Sequence, residues 1–197
     1  MFHNNELGDD AMSKIALLLS CLLLGTCKNE VEVNQINTID EIMQCEGVES
    51  TCEVLINEVV DKLPLELQDK IVDTSDMLVI YTKEKEDKIK SQGVSGITLY
   101  TYQQPTRIHS IAKSHVLFHE LGHAYDITYL HNGEQLLSDS EEWINAYSTE
   151  FISQYGQTSA QEFYAETFAM YFKNPKALQK LCPKAYALHD KEFKDFK

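Results

Sequence analysis

The chain has 197 residues, 43% of them hydrophobic and 24% charged, enough apolar sequence for one domain with a real core. Its 31 acidic residues against 17 basic ones give a formal charge of −14. That balance excludes nucleic acid as an expected partner, because such binders present a basic face. The acid is spread along the chain as on a solvated surface, and no internal repeat or low-complexity tract is visible.

Residues 15–25 form an apolar run with Lys14 just before it. The run is shorter than the roughly 20 apolar residues of a membrane-spanning helix. A lysine followed by a short apolar stretch is the layout of a secretory signal peptide. Its end, Leu24-Gly25-Thr26-Cys27, resembles the bacterial lipoprotein signal, in which the cysteine is lipidated and becomes the mature N-terminus. The threonine departs from the usual Gly, Ala or Ser. Residues 1–27 are therefore expected to serve export and lipidation at Cys27, and residues 28–197 to form a single domain. Glu6, Asp9 and Asp10 are out of place at the start of a signal peptide, so Met12 is the expected translation start. The domain would sit on the outer face of a bacterial membrane, held only by the lipid, or be secreted. Cys45 and Cys52 are close enough to close a small loop in an oxidising compartment, and the sequence leaves open whether they are bridged or free.

Within the domain, residues 38–73 read as helical: Ile39 and Ile42, then Leu55, Ile56, Val59 and Val60, then Leu67 and Ile71, with Pro64 dividing the last two helices. Residues 77–82 read as a buried strand, and 97–103 and 107–112 as two more. A loop with glycines at 93 and 96 precedes them. From Ser114 the pattern is helical, over about 114–129, 140–154, 159–172 and a tail at 175–196. N-terminal helices and a small mixed sheet followed by a mainly helical half make an α+β domain.

The chemistry concentrates in His119-Glu120-Leu121-Gly122-His123. Residues four apart share a helix face, so His119 and His123 can reach one Zn²⁺ at about 2.0–2.1 Å. Glu120, at the edge of that face, can hold the water at the metal and take its proton. His-Glu-x-x-His on a helix is the metallopeptidase signature; against it stands an ordinary helix with surface histidines. Gly122 favours the functional reading, since glycine inside a helix costs about 1 kcal/mol against alanine and implies a close approach. His115 extends the row but is followed by Val116 where a catalytic glutamate should be, and is read as structural.

A catalytic zinc needs a third protein ligand. The metzincin extension is excluded, because Asp126 and Tyr129 stand where its glycine and third histidine belong. A carboxylate from a later helix remains, and Glu162 and Glu166, four apart on a helix of aromatics and alanines, are the candidates. Two carboxylates on an apolar helix are costly unless partnered, and a dication with its histidines is a suitable partner. Glu162 has an equally good local explanation as the last residue of a Ser159-x-x-Glu162 capping box. Glu166 has none.

His119-Glu120-Leu121-Gly122-His123-Ala124-Tyr125-Asp126 and Glu162-Phe163-Tyr164-Ala165-Glu166-Thr167-Phe168 together resemble the catalytic domain of anthrax lethal factor and its relatives, which include the secreted Pro-Pro endopeptidases of Gram-positive bacteria. The resemblance spans residues 114–172. It implies a gluzincin-like zinc peptidase domain with Glu162 as third ligand and Glu166 behind a ligand histidine. It also implies Tyr155, seven residues before Glu162, as hydrogen-bond donor to the oxyanion. One departure is Gln161, where the Pro-Pro endopeptidases carry a glutamate that helps set the substrate cleft, so the sequence leaves open whether cleavage is proline-directed. Trp143 is read as core. The expected activity is that of an exported, monomeric endopeptidase with one catalytic zinc, cleaving a peptide or protein bound in extended form along an exposed edge strand with residues 92–98 over it. The alternatives are a catalytically silent surface lipoprotein that binds a partner through the same fold, and an immunity protein for a related toxin.

Overall fold

The structure, a computed structural model, describes residues 37–46, 49–81, 96–101 and 104–196. Met12, Cys27 and residues 92–95 of the glycine loop lie outside these residues. The described chain opens on a 3₁₀ turn, Ile39–Ile42, whose entry is fixed by Glu41 accepting from the Thr38 N–H (3.1 Å). Strand β1 (Met43–Glu46) follows, then helices α1 (Glu49–Lys62) and α2 (Leu65–Thr74), with Pro64 between them. Strands β2 (Ser75–Tyr81), β3 (Gly96–Thr101) and β4 (Gln104–Ile111) complete the sheet. The helical half is α3 (Ser114–His131), α4 (Glu141–Thr149), α5 (Ala160–Lys173), α6 (Pro175–Leu181) and α7 (Pro183–Phe193). This is the expected α+β arrangement.

Four boundaries differ from the sequence reading, each for a physical reason. Residues 43–46, expected to be helical, form a strand because they pair in parallel with β2, from Met43 opposite Leu78 to Glu46 opposite Tyr81. Strand β4 starts earlier than expected and takes in Pro105. The proline falls at the register shift of β3 against β4, where the ladder does not need its missing N–H. The helix expected over 140–154 stops at Thr149, leaving an irregular connector. The expected tail helix is two helices, since Pro183 has no N–H to continue α6 and instead starts α7.

The strand order is β1-β2-β4-β3, with β1, β2 and β4 parallel and β3 antiparallel at one edge. Leu78, Ile80 and Ile108 of the sheet pack in one core with Leu67 and Ile71 of α2, Leu117, Phe118 and Leu121 of α3, and Phe163, Tyr164 and Phe168 of α5. Trp143 joins this core as expected, 6% exposed. Cys45 and Cys52 are disulfide-bonded, joining β1 to α1; Cys182 is free and buried. No helix among the described residues is long and apolar enough to cross a membrane.

Candidate metal centre and active-site cleft

Helices α3 and α5 approach each other closely at Gly122. A Cβ built on Gly122 would stand 3.1 Å from both the Ala165 Cα and the Phe168 Cβ. The sequence expectation of a close approach is met by the backbone of α5. Across that contact α3 presents His119 and His123, and α5 presents Glu162 and Glu166.

Three ligand atoms converge. The His119 Nε2 lies 3.0 Å from the Glu162 Oε2, the His123 Nε2 lies 3.2 Å from the same oxygen, and the two Nε2 atoms are 3.1 Å apart. Three ligands of a tetrahedral ion at about 2.0–2.1 Å stand about 3.3 Å from one another. The donor set therefore fits one zinc-sized cation. With both imidazoles neutral their facing lone pairs repel, and a cation between them would relieve that repulsion. Glu162 combines the two readings the sequence left open. Its backbone N–H donates to the Ser159 side chain at 3.1 Å, while its carboxylate faces the histidines.

Glu166 lies behind this group. Its Oε1 is 3.0 Å from the His119 Nδ1 and 3.1 Å from the His115 Nε2, and its Oε2 accepts from the Ser153 hydroxyl at 3.1 Å. With Nδ1–H donating to Glu166, the neutral His119 keeps its lone pair on Nε2, the atom that faces the cluster. In the metal-free chain burial disfavours protonation of His119, but the bonds to Glu162 and Glu166 outweigh it and raise its pKa to about 9. Burial pushes Glu162 up, yet the two histidines win and hold it down at about 2. The pocket is thus built to hold positive charge beside ionised carboxylates.

Glu120 is 4% exposed, and burial raises its pKa above the ordinary carboxylate value. The Thr98 hydroxyl of β3 donates to its Oε2 at 2.8 Å. Tyr155, in the connector before α5, is 54% exposed, with its ring 5.6 Å from that of His119. Burial and the neighbouring Glu162 raise its pKa to about 12, so its hydroxyl stays protonated. Glu120, His123, Glu162 and Tyr155 share a cavity of about 330 Å³ with Gly96, Ile97, Thr98 and Tyr100 of β3 and with Ile127, Leu136 and Gln161. Gln161 donates to Asp139 at 2.7 Å.

Matched against protein families, residues 68–192 fit the model described as anthrax toxin lethal factor, N- and C-terminal domain. The chain belongs to the anthrax lethal factor family. Among solved structures it is similar to the Pro-Pro endopeptidase PPEP-2 from Paenibacillus alvei, with a TM-score of 0.58 and 16% identity over 79% of this chain and 98% of that one. The likeness is one of fold. No curated protein matches by sequence.

All six residues singled out in the sequence of this lethal factor relative border one cleft or its supporting layer. Three others were not singled out as parts of the site. His115 was read as structural, and it bonds Glu166. Ser153 bonds Glu166 and accepts from the Gly156 N–H at 2.9 Å, fastening the turn that carries Tyr155. Thr98 was placed only on a predicted strand and at the end of the segment expected over the peptide, because nothing in a linear pattern says that β3 runs beside α3.

Proposed function

We propose that the chain is an exported, monomeric zinc endopeptidase, with His119, His123 and Glu162 as ligands of one catalytic zinc. The observation that carries the proposal is the convergence of these three donors beside a buried Glu120, in a cleft bordered by the edge strand β3. When bound, zinc would supply Lewis acidity to the attacking water and the scissile carbonyl.

The chain's own residues do the rest. Strand β3 is the end strand of the described sheet and pairs only with β4 there, so it offers main-chain N–H and C=O groups to an extended peptide. Glu120 takes the proton of the attacking water, and a carboxylate with a raised pKa holds that proton long enough to hand it to the leaving amine. Tyr155 donates from its neutral hydroxyl to the oxygen on which charge develops. Glu166, with His115 and Ser153, keeps the His119 ring in its ligand tautomer.

Export through the segment ending at Cys27, with lipidation there, belongs to the same proposal. The Cys45–Cys52 disulfide supports an oxidising destination. Globomycin is expected to leave an unprocessed precursor, and release of a soluble form cut elsewhere would refute lipidation.

The decisive experiment incubates the domain with a proline-rich peptide library, with and without chelator, which also reads residue preference around the cut. Glu120→Ala is expected to lower turnover about 10²–10⁴-fold with zinc content still near one per chain. Undiminished cleavage by that variant sinks the mechanism. Bound zinc with no turnover by the wild type points instead to the silent, partner-binding lipoprotein.

A further inference from the structure

Strand β3 does more than border the cleft. Ile97, Leu99 and Tyr100 are exposed at 38%, 47% and 37%, and Ile97 borders the cavity together with the alternate residues of the strand, Gly96, Thr98 and Tyr100. Two of these last three meet the Glu120 carboxylate. The Thr98 hydroxyl donates to Oε2 at 2.8 Å and is also within 3.1 Å of the Glu120 carbonyl oxygen. The carboxylate oxygen is the nearer of the two acceptors. On the other side a Cβ at Gly96 would come within 2.4 Å of the Glu120 Oε1, so only a residue without a side chain leaves room for the carboxylate where it stands. Gly96 does not have a positive φ, so its lack of a side chain is a matter of space.

We infer that Gly96 and Thr98 are positioning residues for the general base: Thr98 anchors one carboxylate oxygen of Glu120, and Gly96 clears the space in which the other oxygen faces the attacking water. The inference rests on the proposed peptidase reading and gives β3 a second duty, so that the strand expected to receive the peptide also aims the base. A carboxylate anchored at one oxygen has lost the freedom to swing, and misplacement of a reacting group by about 1 Å costs on the order of 10²-fold in rate.

Three variants test this. Thr98→Val keeps the shape and β preference and removes the donor. Thr98→Ser restores a hydroxyl. Gly96→Ala adds one methyl whose nearest neighbours, Oε1 at 2.4 Å and Cδ and Cγ at 2.8 Å, all belong to the Glu120 side chain and none to the backbone, so the side chain rather than the fold has to give way. Thr98→Val and Gly96→Ala are expected to lower kcat about tenfold or more with KM within about twofold, while Thr98→Ser recovers most of kcat. Melting temperature and zinc content should match the wild type in all three. Full kcat in Thr98→Val, or equal losses in Thr98→Val and Thr98→Ser, overturns the inference. Crystal structures provide a readout that needs no turnover. The Glu120 carboxylate should bond Thr98 in the wild type and be displaced in Gly96→Ala. A wild-type Thr98 turned away from Glu120 refutes the inference even if the protein proves to be no peptidase. A wild type that holds this contact but cuts nothing refutes the peptidase reading alone.

Discussion

Glu166 shows how a site is supported one residue back from its donors. It takes bonds from His119, His115 and Ser153, and the two histidines overcome its burial to push its pKa far below the ordinary value. Glu166→Gln is expected to weaken zinc affinity about 10–100-fold, measured by competition with a chromophoric chelator, whereas Glu162→Ala should lose zinc outright. Unchanged affinity in Glu166→Gln would mean that the His119 ring is oriented by packing alone. The histidines and glutamates were legible in the sequence because their spacing of four follows from helix geometry alone. Ser153 was not, because a serine in an irregular connector carries no periodic signal, and its value depends on the packing of Glu166 of α5 beside it.

At the scale of elements, the separation of α3 and α5 sets the distance between the two histidines and Glu162. Gly122→Ala gains about 1 kcal/mol of helix propensity, but its methyl meets the Ala165 backbone, which cannot move without moving α5. Overpacking of this kind costs about 1–3 kcal/mol. The variant is therefore expected to melt lower, by about 2–4 °C for each net kcal/mol in a domain of this size, and to bind zinc more weakly. A melting temperature at or above that of the wild type would show that the helices give way freely. At the opposite edge of the sheet, the Cys45–Cys52 bridge ties β1 to α1. Closing so short a loop stabilises by about 2–3 kcal/mol on the chain-entropy account. A double Cys→Ser variant should lose stability by denaturant titration while keeping zinc content and turnover, since β1 and β3 are the two outer strands of the sheet. Loss of zinc with the bridge would contradict that separation. The strand β1 itself was misread as helix because Ile39 and Ile42 suit a helical period, and only the partner strand β2 decides otherwise.

At the scale of the whole molecule, the aromatic core encloses a titratable group, His189. His189 is fully buried among Trp143, Tyr164, Phe168 and Phe193. Its Nε2 lies 3.1 Å from the Thr167 hydroxyl, whose own proton serves a helix carbonyl, so His189 is neutral with its proton on Nε2. Burial lowers its pKa to about 3. An unfolded histidine titrates near 6.5, so between those values the unfolded chain binds a proton that the folded chain refuses. The stability this neutral residue provides is complete above about pH 6.5 and is lost as pH falls towards 3, by at most about 1.4 kcal/mol per pH unit. Thermal melts from pH 7 to pH 4 should show that slope, and His189→Phe should flatten it; an equal slope in both places the acid sensitivity elsewhere. The sequence by itself determined the helix of His119 and His123, the spacing of the candidate metal ligands and the α+β order of elements, because spacing along one helix and local hydrophobic period are properties of neighbouring residues. Tertiary structure alone decided that Glu162 turns to the histidines while its N–H is capped, that His115 and Ser153 hold Glu166, and that β3 lies against Glu120. Those are contacts between residues up to 51 positions apart, and only packing of the helices and the sheet edge brings them together.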